Sequence, residues 1–173
     1  MTSVAHTYFL KGDYQRGVES YGATAGYYLD AAMLALTSRE GDARELLARR
    51  HSSGVRAGYM RALMVSLGTL LAGKLTESAE IVRQALAQPA RDPEAKFYLA
   101  RHLARGGAHA EALRTIHDLV DEGFFCSAAL LCDPWLKPLS RLPDFQEVRD
   151  AVLRREAESR AAFVAANGDR VLS

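Results

Sequence analysis

The chain is poor in lysine, asparagine, cysteine and proline. Lysine occurs only at Lys11, Lys74, Lys96 and Lys137, and Asn167 is the sole asparagine. Arginine therefore carries most of the positive charge. Together with abundant alanine it makes a composition typical of GC-rich bacterial genomes. The net charge of +1 is too small to draw the chain electrostatically to nucleic acid or to an acidic membrane. Cys126 and Cys132 are too few for a disulfide framework, and their spacing fits no common metal pair, so both are expected as buried, inert thiols. The N-terminus lacks a charged segment followed by an apolar core, so no secretory signal is expected. No apolar run reaches the roughly 18 residues of a membrane span. The most apolar stretch, residues 62–72, is broken by Ser66, Gly68 and Thr69. A cytoplasmic location is the natural reading. Proline is confined to expected helix boundaries and no segment alternates like a strand, so the expected fold class is all-α.

With 49% apolar and 25% charged residues over 173 positions, the chain can build one proper core. Two stretches align on each other at a spacing of 34 residues. Gly73 falls over Gly107, Glu77 over Glu111, Ser78 over Ala112 and Ala85 over Leu119. An apolar helical run precedes each glycine and an amphipathic one follows it. A period in this range marks a stacked array of helix pairs. Helices are expected at about residues 25–37, 43–50, 55–72, 76–88, 93–105, 110–121, 126–131 and 144–166. Asp13 and the Gly41–Asp42 pair serve as starts. His51 to Gly54 is expected as a loop, Pro89 as a breaker between repeats, and Gly123 as a stop. About ten residues precede Gly12, so the first unit reads as shortened or as part of something larger.

These units resemble tetratricopeptide (TPR) repeats. In the best match Leu99-Ala100 take the Leu-small place, Gly107 the turn glycine and Glu111-Ala112 the acidic-Ala pair. Leu119 departs from the pattern, being larger than usual at its place. The string from Gly12 to Tyr21 looks like the family's turn and second-helix start, with Gly17 where alanine is usual. The unit at Gly41–Asp42 is weaker, standing 32 residues before Gly73. Asp133, Pro134, Leu136, Leu139, Pro143 and Phe145 are similar to a segment that closes TPR arrays in bacterial regulators. The resemblance implies a right-handed α-solenoid of three to four helix pairs with a C-terminal capping helix. It divides the single domain into degenerate repeats over 1–54, well-matched repeats over 55–124 and a closing part over 125–173.

Such a stack curves and lines its concave side with the first helix of each pair. Phe97, Tyr98, Arg101 and Arg105 are spaced so that the two arginines sit one turn apart, with aromatics beneath. They are expected to form a concave partner-binding face that Arg39 joins, gripping a carboxylate or phosphate. A solvated face is the bland alternative. For helix 55–72 two registers stay open. In one, Met60, Leu63, Met64, Leu67, Leu70 and Leu71 face the groove. In the other, Met64, Leu67 and Leu71 are core and Ser66 and Thr69 line the groove.

No catalytic string of the GxSxG, Walker A or GxGxxG kind occurs. His6, His51, His102, His109 and His117 have no metal-site spacing, so no metal and no cofactor are expected. The last helix carries an apolar stripe from Phe145 through Val148 and Val152, continued weakly by Ala161, Ala162, Phe163 and Ala165. Alternating charges flank it, which fits a capping helix or a homodimer helix. The reading is a non-catalytic protein–protein interaction module, an adaptor or regulatory domain of a bacterial cytoplasmic system. Its partner would be a protein or peptide, acidic in character, and neither nucleic acid nor membrane. The alternatives are a small-molecule-binding or enzymatic helical domain and a self-assembling structural protein.

Overall fold

The computed structural model describes residues 4–20, 28–52, 58–88, 92–124 and 126–171. Among them every regular element is helical. They are α1 (Val4–Leu10), α2 (Tyr14–Glu19), α3 (Tyr28–Leu36), α4 (Glu40–Ser52), α5 (Tyr59–Leu71), α6 (Leu75–Leu86), α7 (Pro93–Arg105), α8 (His109–Asp121), α9 (Ser127–Cys132) and α10 (Pro143–Ala165). A 3-10 segment, Pro134–Arg141, joins α9 to α10. The all-α expectation holds. Among the described residues no helix is long and apolar enough to cross a membrane.

The helices associate as hairpins in chain order: α1 with α2, α3 with α4, α5 with α6, α7 with α8. The second helix of each pair packs on the first helix of the next, and α1, α3, α5 and α7 also touch in succession. One turn geometry recurs at the four hairpins. The second residue after the first helix is left-handed at Gly12 (φ 75°), Ser38 (φ 62°), Gly73 (φ 77°) and Gly107 (φ 86°). The following N–H then donates five residues back: Asp13 to Tyr8, Arg39 to Leu34, Lys74 to Thr69 and Ala108 to Leu103. This closure satisfies carbonyls that a helix end leaves open, and it turns the chain antiparallel.

The second hairpin corrects the sequence reading. Gly41 and Asp42 lie inside the first turn of α4, and Ser38 is the turn residue. α4 also runs on through His51 and Ser52, which were expected in a loop. The physical reason is local. Ser38 accepts the left-handed backbone, and Thr37 Oγ1 donates to the Met33 carbonyl at 2.9 Å, closing α3 without a glycine. Asp13 stands at the start of α2 as expected, without a side-chain cap. Cys126 and Cys132 were both expected to be buried; Cys126 is half-buried and Cys132 exposed. The expected starts at residues 25 and 55, Gly54 and the Pro89 breaker lie outside the described residues.

α7 is the centre of the molecule. Asp92 caps it by accepting the Glu94 N–H at 3.0 Å, Pro93 takes the first position, and Gly106 ends it. Every residue from Phe97 to Ala104 is buried. α5, α6 and α8 cover three sides, and the 3-10 segment covers the fourth. α9 reaches back to α1, so the segment that follows α8 closes on the first hairpin. An ideal Cβ at Gly12 would stand 2.8 Å from Cys132 Cβ, whereas one at Gly73 meets nothing within 4 Å. Gly73→Ala should therefore cost about 1 kcal/mol, for its left-handed backbone alone. Gly12→Ala should cost about 1–3 kcal/mol more, because it also overpacks the closure. Urea unfolding of the two variants measures the difference.

Candidate functional site

Four polar residues on the buried faces of α3, α5 and α7 meet beside the closing segment. Arg101 is fully buried and Asp133 is 4% exposed. The Arg101 Nε–H donates to Asp133 Oδ2, and Arg101 Nη1–H donates to the Tyr28 hydroxyl at 3.0 Å. The other Asp133 oxygen accepts the Trp135 N–H at 2.9 Å, which starts the 3-10 segment. The guanidinium lies between two aromatic faces, 4.6 Å from the Phe9 centroid and 4.7 Å from that of Trp135. Such stacking suits a weakly hydrated planar cation.

The pattern continues inward through His102. Its Nε2 is hydrogen-bonded to the Tyr28 hydroxyl at 2.9 Å and its Nδ1 to Ser66 Oγ at 2.7 Å. Ser66 Oγ donates in turn to the Leu63 carbonyl at 3.2 Å, and Ser78 Oγ donates to the Ser66 carbonyl at 2.9 Å. Burial, with the Arg101 charge adding to it, holds His102 well below its ordinary value of 6.5, so it is neutral. Burial opposes the Arg101 charge, but Asp133 and Tyr28 outweigh it and the guanidinium stays protonated. Burial also pushes the Tyr28 phenol up, against the pull of Arg101.

Ser66 and His102 stand at a nucleophile–base distance. Both side chains, however, are buried, at 0% and 2% exposure, beyond the reach of a substrate. The chemistry of this cluster is cohesion among helices far apart in sequence.

The expected concave face is corrected at three of its five residues. Phe97 and Arg101 are wholly buried and Tyr98 is 5% exposed. Phe97 stacks on Phe124 with centroids 5.0 Å apart. Tyr98 packs edge-on against Phe9 at 5.4 Å and donates to Glu94, whose carboxylate also bonds His6 Nε2 at 2.6 Å. The chain's own α1 and closing turn occupy the place assigned to a partner, and Asp133 supplies the carboxylate. Arg105, one turn on from Arg101 at the last residue of α7, is exposed. Arg39 is exposed and pairs with Asp42, its Nε 2.7 Å from Oδ2; it joins none of the others. On α5 neither register stands intact. Leu63, Met64, Leu67 and Leu70 are buried, and so is Ser66.

The open concavities lie elsewhere. One of about 670 Å³ is lined by Arg44, Leu47 and Ala48 of α4 and by Arg61, Met64, Val65, Gly68 and Thr69 of α5. A second, of about 600 Å³, is lined by Tyr59, Arg61, Ala62 and Val65 of α5 and by Ile81, Gln84 and Ala85 of α6, with Gly58 and Gln88 beside them. Arg61 and Val65, one turn apart, form the ridge between the two. Arg44 and Arg61 are both exposed and form no ion pair among the described residues. The floor is apolar and includes Met64, a side chain that adapts to varied shapes.

Sequence reasoning missed Tyr28, Ser66, His102 and Asp133 as one cluster, and Arg44 and Arg61 as a rim. The available signal was a polar residue inside an apolar helical stripe, as at Ser66 and at Arg101-His102. Such a residue needs a buried partner. No group of His, Cys, Asp and Glu fit for a metal ion occurs among the described residues. Comparison with family models, with curated proteins and with solved structures finds no match to this chain.

Two outcomes test the cluster. Asp133→Asn leaves the Arg101 charge buried without its counterion and should cost about 3–5 kcal/mol in urea unfolding. Arg101→Met/Asp133→Leu should recover much of that loss, because it removes both charges at similar volume. The second outcome concerns pH. Folded His102 stays neutral while the unfolded imidazole takes up a proton below its ordinary 6.5. Stability should therefore fall with pH, by about 1.4 kcal/mol per unit below about pH 6 for this one group. His102→Gln should remove that increment from the slope when ΔG of unfolding is measured from pH 7.5 to 5.

Proposed function

We propose that this chain is a non-catalytic interaction module built of TPR-like helix pairs in a right-handed solenoid, an adaptor or regulatory domain of a bacterial cytoplasmic system. The ordered stacking of hairpins, first helix on first helix, supports the solenoid reading. The partner is an acidic amphipathic protein segment. The observation that carries this is the pair of adjoining apolar cavities over α4, α5 and α6, rimmed by two arginines that form no ion pair among the described residues. An amphipathic helix laid along α5 would set apolar side chains into both cavities, and its acidic edge on Arg44 and Arg61. The buried state of Phe97, Tyr98 and Arg101 moves the binding face from the first helices of the later pairs to this one.

Peptide display on the immobilised chain tests the reading, with Arg44→Glu/Arg61→Glu in parallel. Both positions are exposed, so the variant should keep the wild-type thermal midpoint. Peptides enriched on the wild type should be acidic and amphipathic, and should bind the variant at least about tenfold more weakly. If nothing is enriched, or both proteins bind alike, the reading fails. An apolar fluorescent dye that binds the wild type and is not displaced by enriched peptides would favour the small-molecule alternative.

A further inference from the structure

The last three turns of α10 have no cover. Val152 is the last buried residue of this helix, and every residue from Glu156 to Asn167 is exposed. The helix nonetheless keeps an apolar seam there. Leu153, Ala157, Ala161 and Val164 recur at intervals of 4, 4 and 3 residues. Leu153 is 42% exposed and Val164 54%. Phe163 is not part of the seam: it folds over the helix end, where an ideal Cβ at Gly168 would stand 2.3 Å from its Cε2. Beside the seam run Arg154, Glu156, Glu158 and Arg160, none with an ion-pair partner among the described residues. Arg155 differs, since it turns back to the Val120 carbonyl and to Asp121 and belongs to the body of the protein.

We infer that this end of α10 pairs antiparallel with the same segment of a second copy of the chain. The seam and its Glu156/Arg160 flank are self-complementary about a two-fold axis near Glu158 and Ser159. Around that axis Leu153 of one copy lies opposite Val164 of the other, and Ala157 lies opposite Ala161. Large residues then flank small ones, and the two alanines let the backbones approach closely. Glu156 lies opposite Arg160 of the second copy, and Arg160 opposite Glu156, so each charge on that flank gains one counterion and the axis makes two such pairs. A two-fold interface must be complementary to itself in this way. A seam advancing 11 residues in three turns follows a nearly straight helix, so the pair needs no marked supercoil. The segment is also shorter than an isolated helix that holds its own in water, and a second copy supplies the packing it lacks. The pairing is independent of the groove over α5.

Sedimentation velocity on the full chain, over a series of concentrations, tests the pairing. The wild type should shift from monomer to dimer as concentration rises. Leu153→Glu/Val164→Glu should stay monomeric with unchanged helical content. Glu156→Arg and Arg160→Glu should each weaken the dimer by about tenfold. Glu156→Arg/Arg160→Glu should restore it, because the swapped charges face each other again across the axis. A wild-type chain that stays monomeric throughout overturns the proposal. So does a dimer indifferent to the seam variants, or one that the charge swap fails to rescue.

Discussion

The buried pair of Arg101 with Asp133 is the contact on which the arrangement of the helices depends. It joins the middle of the chain to its closing turn, and it brings α1 and α3 with it. Phe9 and Trp135 hold the guanidinium between their faces and Tyr28 takes one of its protons. Two desolvated charges contribute little net stability over an apolar pair of the same volume. Their effect is on specificity. If α7 slid by one residue against α3 or α5, Arg101 would lose Asp133, His102 would lose Tyr28 and Ser66, and buried charge and dipoles would stand alone. The apolar core would tolerate several registers of helix on helix; the polar relay tolerates one.

This constraint also bears on function. In an open stack of helix pairs the first helices line a groove that a partner can enter. Here α1 packs against the face of α7 that was expected to line a groove, and Asp133 of the closing turn meets Arg101 there, so that face is core. The two surfaces proposed for other molecules are ones where apolar side chains coincide with charges that form no ion pair among the described residues. One lies over α4 to α6 and the other along the end of α10. Their chemistry differs: the first offers two arginines over an apolar floor, and the second offers charges of both signs beside a narrow seam.

Local features of the chain were legible one element at a time. The boundaries of α7 follow from Asp92, Pro93 and Gly106, and the structure places them where the sequence reading did. The 34-residue spacing of Gly73 and Gly107 reads as two equal hairpins, and both residues take the same left-handed turn. Ser38 was not legible, because serine signals a left-handed turn far less strongly than glycine. The site was hardly legible at all. Arg101 and Arg105 share a helical edge in sequence, yet one is buried and the other exposed. That difference depends on which segments pack against α7, and periodicity along α7 does not contain it.

What the sequence by itself determined is the helical class, the pairing of neighbouring helices and the turn geometry at most of their junctions. These rest on contacts between residues close in the chain, where propensity, caps and apolar spacing act directly. Only the tertiary structure decided that Asp133 comes to Arg101 across 32 residues, and Tyr28 to His102 across 74. It also decided that Phe97, Tyr98 and Arg101 of the expected binding face are interior. The physical reason is that burial of a charge is favourable only when its partner arrives with it, and nothing local in the chain announces which distant residue will arrive.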